Sequence, residues 1–225
     1  MKKHVTFLLI CFAVVLTVAS IGQAQKKITG PWIWMIAPTE AGKGGADSTD
    51  IDTLAKASGG SVTAAGVAKN GVKAGSKCGK LNWTWGELSA TGGNNVNDIV
   101  TKIGLGKGDI NDHDSWAYLE LDASAKKGVT AKAGSDDSIV VWLNGKIVHK
   151  NAVNRGAGDF QDTFKVDLID GINRLLVKVG GKGGGWSMFV GIDAKLTYDL
   201  KFKGFPVEPK SKLATSWSQV KTQRI

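Results

Sequence analysis

Cysteine, proline, glutamate, tyrosine and histidine are all scarce in this chain of 225 residues, and each shortage closes off a class of structure or chemistry. The two cysteines, Cys11 and Cys78, cannot build a disulfide framework, so an apolar core has to hold the fold. With only three histidines beside them, the soft ligands of a structural zinc centre are missing. Four prolines against 30 glycines point to ordered tight turns. Glutamate, a good helix former, is far outnumbered by aspartate, which favours turns and caps, so a helical bundle is excluded. Among 29 basic residues only Arg155, Arg174 and Arg224 are arginines, and the lysines are scattered singly. A nucleic-acid reader gathers Arg and Lys on one face, so nucleic acid is not an expected partner despite the net charge of +9. A dispersed lysine coat suits solubility or weak adhesion to anionic surface polymers.

There is one long apolar run, Val5 to Ala19. Lys2 and Lys3 precede it and Gly22-Gln23-Ala24 follows, the pattern of a signal peptide over residues 1–24. The expected location is therefore secreted, periplasmic or at the cell envelope, with membrane attachment only through an uncleaved leader. Residues 25–205 read as a single domain and 206–225 as a C-terminal tail of mixed charge and little periodicity.

What is present is short, alternating and punctuated. Trp32 and Trp34 share one face of a first strand. Thr39 to Gly60 is a long polar loop with a brief helix, and Ser61 to Ala68 offers a helical turn or two before Asn70-Gly71. Leu81, Trp83 and Trp85 alternate, and Asn95 to Leu105 continues the mixture of apolar and polar positions. In Trp116 to Leu121, Ala117, Leu119 and Leu121 form one face, which predicts a strand with one buried side. The clearest stretch begins at Val129: a strand, an Asp-rich corner, a second strand, the hairpin turn Asn144-Gly145 and a third strand. Phe164, Val166 and Leu168 then alternate, Asp170-Gly171 turns the chain, and Ile172 to Val179 and Trp186 to Ile192 follow. Turns every eight to twelve residues predict an all-β fold, an antiparallel β-sandwich or jelly roll with one short helix and long loops. Ile139, Val141, Leu143, Phe164, Val166, Leu168, Leu175, Val177 and Val179 are its expected core.

Catalytic signatures are absent: no nucleophile elbow occurs, and the string Gly180 to Gly185 lacks the ending and the following helix of a phosphate loop. His113 and His149 lie near carboxylates in sequence, as two histidines in an Asp-rich chain would by chance. Eight tryptophans supply broad apolar plates, most of them for the core, and such plates also stack on pyranose rings. Trp186, beside the glycine loop, is the candidate plate. Asn151, Asn154 and Arg155 are candidate hydrogen-bonding groups for sugar hydroxyls, and Arg155 has the competing role of pinning its own loop to Asp159 or Asp162. Asp136 and Asp137, between Ser135 and Ser138, are either two oxygen ligands for calcium or turn carboxylates capping backbone amides. Asp109, Asn111, Asp112 and Asp114 form a second oxygen-rich cluster, without the Gly and terminal Glu of a helix-loop-helix calcium site.

The segments SDDSIVVWLNGKIVHKNAVNRG, FKVDLIDGINRLLVKV and GGGWSMFVGI, spanning Ser135 to Ile192, resemble the end of carbohydrate-binding β-sandwiches of the galactose-binding and protective-antigen-module kind. The resemblance implies a jelly roll in an extracellular protein. It further implies that Asp136 and Asp137 hold calcium that touches sugar, with Ser138 where such motifs carry glycine. The expected function is a secreted, non-catalytic carbohydrate- or glycan-surface-binding domain, calcium-assisted. A structural or protein-interaction domain of the cell envelope is the alternative, and a small polysaccharide hydrolase or lyase the third.

Overall fold

The computed structural model of the protein describes residues 26–89 and 92–198. The signal-peptide segment and the 206–225 tail lie outside them. Eleven strands are present: β1 Trp32–Pro38, β2 Lys77–Cys78, β3 Leu81–Asn82, β4 Thr84–Gly86, β5 His113–Ala123, β6 Lys126–Asp136, β7 Ile139–Leu143, β8 Lys146–Asn151, β9 Asp162–Leu168, β10 Gly171–Gly181 and β11 Ser187–Ile192. A six-stranded sheet, in the order β4-β1-β5-β10-β7-β8, faces a three-stranded sheet, β11-β6-β9, and every pairing is antiparallel. The protein is an all-β antiparallel sandwich.

The core between the sheets follows from period-two alternation. Trp32, Trp34, Ala117, Leu119, Leu121, Ile139, Val141, Leu143, Leu175, Val177 and Val179 point inward from the larger sheet. Val129, Ala131, Val166, Leu168, Met188 and Val190 meet them from the smaller one. Each fully enclosed aliphatic side chain contributes about 1.5–3 kcal/mol. Phe164 departs from expectation: it is partly buried and packs on the margin of this core, stacked on His149 with ring centroids 4.5 Å apart. The hairpin turn is as the sequence predicts, since Asn144 (φ 51°) and Gly145 (φ 83°) both adopt the positive φ of a two-residue turn.

Three features differ from the sequence reading. Helices number three among the described residues: α1 Thr53–Ser58, α2 Ala64–Asn70 and α3 Asn95–Lys102. Asp52 and Thr63 cap the first two by accepting hydrogen bonds from Ala55 N and Gly66 N. In α3, which the sequence reading left as a mixture of apolar and polar positions, Val96, Ile99 and Val100 fall at helical spacing and are buried against the sandwich. The outer face of the larger sheet is also covered, because α1 and α2 bury Ile33, Met35, Trp116, Tyr118, Val140, Trp142 and Leu176 in a second cluster. Both faces of β5 are therefore enclosed. Finally, the chain breaks at Trp83: this residue is buried while Trp85 is exposed, so Leu81, Trp83 and Trp85 do not share one strand face.

Candidate functional site: the Asp136–Asp137 corner

At Asp136 and Asp137 the chain leaves the smaller sheet at the end of β6 and enters the larger one at β7. The peptide joining the two aspartates is cis. Four segments converge on this corner, from residues 44–46, 135–138, 152–157 and 180–185. Asp137 is buried, its Oδ1 accepting from Arg155 N at 3.2 Å and its Oδ2 from Lys182 N at 2.9 Å. Its own amide donates to Gly180 O at 3.0 Å and its carbonyl accepts from Ser135 Oγ at 2.7 Å. Ser138 donates to Gly45 O at 2.7 Å and so ties the corner to the first loop.

Close approach sets the glycines here. A Cβ on Gly180 would lie 2.6 Å from Gly45 O and 2.7 Å from Ser48 Oγ, and one on Gly185 would lie 2.5 Å from Asp136 Oδ2. A side chain at either position would force the loops apart.

Asp136 is half-buried, and its carboxyl is pushed up to about 6. Burial is the largest cause and the neighbouring charge of Asp137 the next, opposed by a hydrogen bond from the Ala157 amide. Among the described residues no lysine or arginine side chain forms an ion pair with Asp136 or Asp137. Each oxygen of Asp137 accepts one amide and keeps a second lone pair. Calcium takes hard oxygen donors, and two adjacent carboxylates left without a cation are donors of that kind. In the described residues no group of three or more His, Cys, Asp or Glu side chains converges, so further ligands would have to come from amide and backbone oxygens.

The structure redistributes the sequence-predicted sugar contacts. Trp186 is only 1% exposed, with Nε1 donating to Val179 O at 3.3 Å, so its ring is part of the core and offers no stacking plate. The reason is positional: it enters β11 on the inward-facing side, against Gly181. Arg155 resolves to its competing role. Its guanidinium donates to both oxygens of Asp162, at 2.9 and 2.7 Å, and to Ser135 Oγ at 2.9 Å. Asp159 pairs instead with Lys27 at 2.8 Å. Asn151 Nδ2 donates to Asp162 Oδ1 at 3.0 Å, facing the loop rather than solvent. Burial alone would raise the Asp162 carboxyl, but hydrogen bonds from Arg155, His149 and Asn151 hold it at about 2.

Asn154 stays at the corner. It is exposed, its Oδ1 accepts from Ala46 N at 2.8 Å, and its Nδ2 makes no hydrogen bond within the described residues. A Cβ placed on Gly45 would sit 2.3 Å from Asn154 Oδ1 and 3.2 Å from Asp137 Oδ2, so the amide and the carboxylate line the same small space. The Asp109–Asp114 cluster separates. Asp112 accepts from Gly42 N and Gly44 N, Asp114 turns into a buried ion pair with Lys178 at 3.0 Å, and Asp109 faces α3.

Sequence reasoning offered Asp162 as a partner for Arg155 but missed that His149 and Asn151 converge on the same carboxylate. It also missed the Lys178–Asp114 network, in which Ser48 and Thr53 donate to the carboxylate and Lys178 donates to Ile51 O and Ser48 O. A lysine alternating with valines along β10 was the available signal for the second.

No protein-family model and no curated protein matches this chain. Among solved structures it is similar to a PA14 sugar-binding domain from an RTX adhesin, at 13% identity with a TM-score of 0.39, over 78% of this chain and 94% of that one.

Proposed function

We propose that the protein is a secreted, non-catalytic carbohydrate-binding domain that takes sugar hydroxyls at the Asp136–Asp137 corner through a calcium ion. The observation that carries this reading is the pair of adjacent carboxylates, one fully and one half buried, with no cationic side chain to balance them. Burying like charges side by side is costly, and a hard divalent cation is the ligand that removes the cost. Asn154 supplies an outward-facing amide beside them, suited to a hydroxyl adjacent to the ion. Arg155 serves as a positioning residue, holding the loop that carries Asn154 to Asp162. The resemblance of Ser135 to Ile192 to carbohydrate-binding sandwiches points to the same corner. A hydrolytic reading has less behind it: His149 packs on Phe164 and bonds to Asp162, with no hydroxyl or thiol nucleophile among its described hydrogen-bond partners.

Calcium titration followed by melting temperature, and a glycan array run with and without chelator, test the proposal together. The expected result is a calcium-dependent rise in stability, lost in Asp136→Asn, and glycan binding that chelation removes. A melting curve that calcium leaves unmoved would reduce the corner to a capped turn. A calcium response with a blank array would favour the envelope-protein alternative, and product release from a polysaccharide the enzyme.

A further inference from the structure

A concave place lies apart from the Asp136–Asp137 corner, on the outer face of the larger sheet where the cover of α1 and α2 gives out. A cavity of about 220 Å³ opens there between the segment 49–52, the start of α2 and the β7–β8 hairpin, with Asp50, Ala65, Trp142, Ile147 and Lys150 among its walls. It is smaller than the clefts that take drug-sized ligands and suits a single six-membered ring. Its frame is fixed. Lys178 donates to the carbonyls of Ser48 and Ile51, while Asp52 accepts from Ala55 N at 3.0 Å and Ala64 N at 2.8 Å, so the loop carrying Asp50 is tied to β10 and to both helices.

Three polar groups in these walls have bonding capacity to spare. The indole N–H groups of Trp32, Trp34, Trp116 and Trp186 each donate to a carbonyl or a hydroxyl. That of Trp142 has no hydrogen-bond partner among the described residues and keeps contact with solvent, although the residue is only 8% exposed. Lys150 and Asp50 pair with each other, and among the described residues neither side chain makes a second hydrogen bond. The carboxylate therefore retains lone pairs and the ammonium retains hydrogens. Beside them Ile147 is 58% exposed, an aliphatic side chain open to an occupant of the cavity.

These groups select the chemistry of what they hold. An indole N–H and an ammonium only donate, and a carboxylate only accepts, whereas a hydroxyl does both. Neighbouring hydroxyls on one ring can accept from Trp142 and Lys150 while donating to Asp50. An anion would meet the Asp50 carboxylate and a cation the Lys150 ammonium, so a neutral ligand is favoured. Ile147, Ala65 and the Trp142 ring give apolar contact to the C–H groups of such a ring. We infer that this cavity is a second sugar site, one that takes a neutral pyranose through Asp50, Lys150 and the Trp142 indole without a metal. It rests on the carbohydrate reading of the protein for its class of ligand, and not on calcium.

The experiment titrates the full chain, isotopically labelled for NMR and kept in a calcium chelator, with the methyl glycosides of glucose, galactose and mannose. At least one of them should shift the Trp142 indole N–H resonance saturably, and equally in Asp136→Asn. Lys150→Met and Asp50→Asn should each weaken that binding roughly tenfold. Ala65→Leu fills the cavity from an exposed position of α2, leaves the core alone and should abolish the shift. An indole resonance that none of the three glycosides moves, or a shift that survives Ala65→Leu and both charge substitutions, would overturn the site. Glycan binding that depends on calcium beside an unmoved indole would leave the corner standing without this cavity. A shifted indole with no effect of calcium on glycan binding would keep the cavity and remove the corner, so the two proposals fail separately.

Discussion

Two buried carboxylates at the same end of the sandwich, Asp114 and Asp137, lie on either side of Gly180 and are balanced in different ways. Asp114 pairs with Gly180 across β5 and β10 and meets Lys178 at 3.0 Å, both side chains essentially sealed from solvent. Two hydroxyls donate to the carboxylate, two carbonyls accept from the ammonium, and the Trp116 ring lies 5.3 Å from it. Burial pushes both groups toward their neutral forms, Asp114 up and Lys178 down, and their mutual attraction opposes it. Asp137 receives only backbone amides, and its neighbour in sequence carries the same charge. Where the chain supplies the counter-charge, the polar cluster is closed and belongs to the architecture. Where it supplies none, the two carboxylates of the corner stay without a side-chain counter-charge among the described residues.

Lys178→Met should have the largest effect, a loss of about 3–5 kcal/mol in chemical denaturation, because it strands Asp114 in an apolar layer. Changing Asp114 to Leu in the same chain should recover much of that loss, and failure to recover would mean that the pair shapes the fold beyond its charges. Phe164→Ala gives the scale of a packing loss with no charge left behind. Since this ring is half-buried, about 2 kcal/mol is expected, below the 3–5 of an enclosed phenylalanine.

Asp162→Asn removes the carboxylate that holds Arg155 and His149 and should cost on the order of 1 kcal/mol at neutral pH, after screening by solvent. Its folded-state value lies below that of an unfolded aspartate, so the wild type gains this stability above pH 4 and loses it as pH falls from about 4 toward 2. The variant's stability should lack that slope. Asp136 works in the opposite sense and with an effect of similar size. Its value of about 6 exceeds that of an unfolded aspartate, so the folded state binds the extra proton. Stability without metal should fall as pH rises from about 4 to 6, by on the order of 1 kcal/mol after screening, and Asp136→Asn should flatten that fall. Under the proposed calcium site, metal would compete with the proton, and saturating calcium should abolish that fall in the wild-type curve.

The stretch from β6 to β10 was legible because each strand alternates against a face that is truly buried and the turns carry their own chemistry, as at Asn144-Gly145. The adjacent pair Asp136–Asp137 was legible for a similar reason, since neighbours in sequence are neighbours in space. The misread parts depend on distant chain. Nothing local in Trp116 to Leu121 says that α1 and α2 will cover its second face, and three buried apolar residues in α3 are too few to separate helical from strand spacing. Trp186 looked available beside a glycine loop, yet it shares the inward-facing side of β11 with Met188 and Val190, which turns the ring into the core. Arg155 had two acidic neighbours to choose from, Asp159 and Asp162, and only the path of the folded loop selects Asp162.

Lys178 also has a bearing on how β10 finds its partners. It points outward between Val177 and Val179, which point into the sandwich, on a strand paired on both sides over several residues. A slip by one position would turn the ammonium into the space between the sheets, away from Ser48, Ile51 and Asp114, and would bring the valines out beneath the helices. The central strand thus carries its own proofreading mark: a wrong alignment is disfavoured by the charge it misplaces.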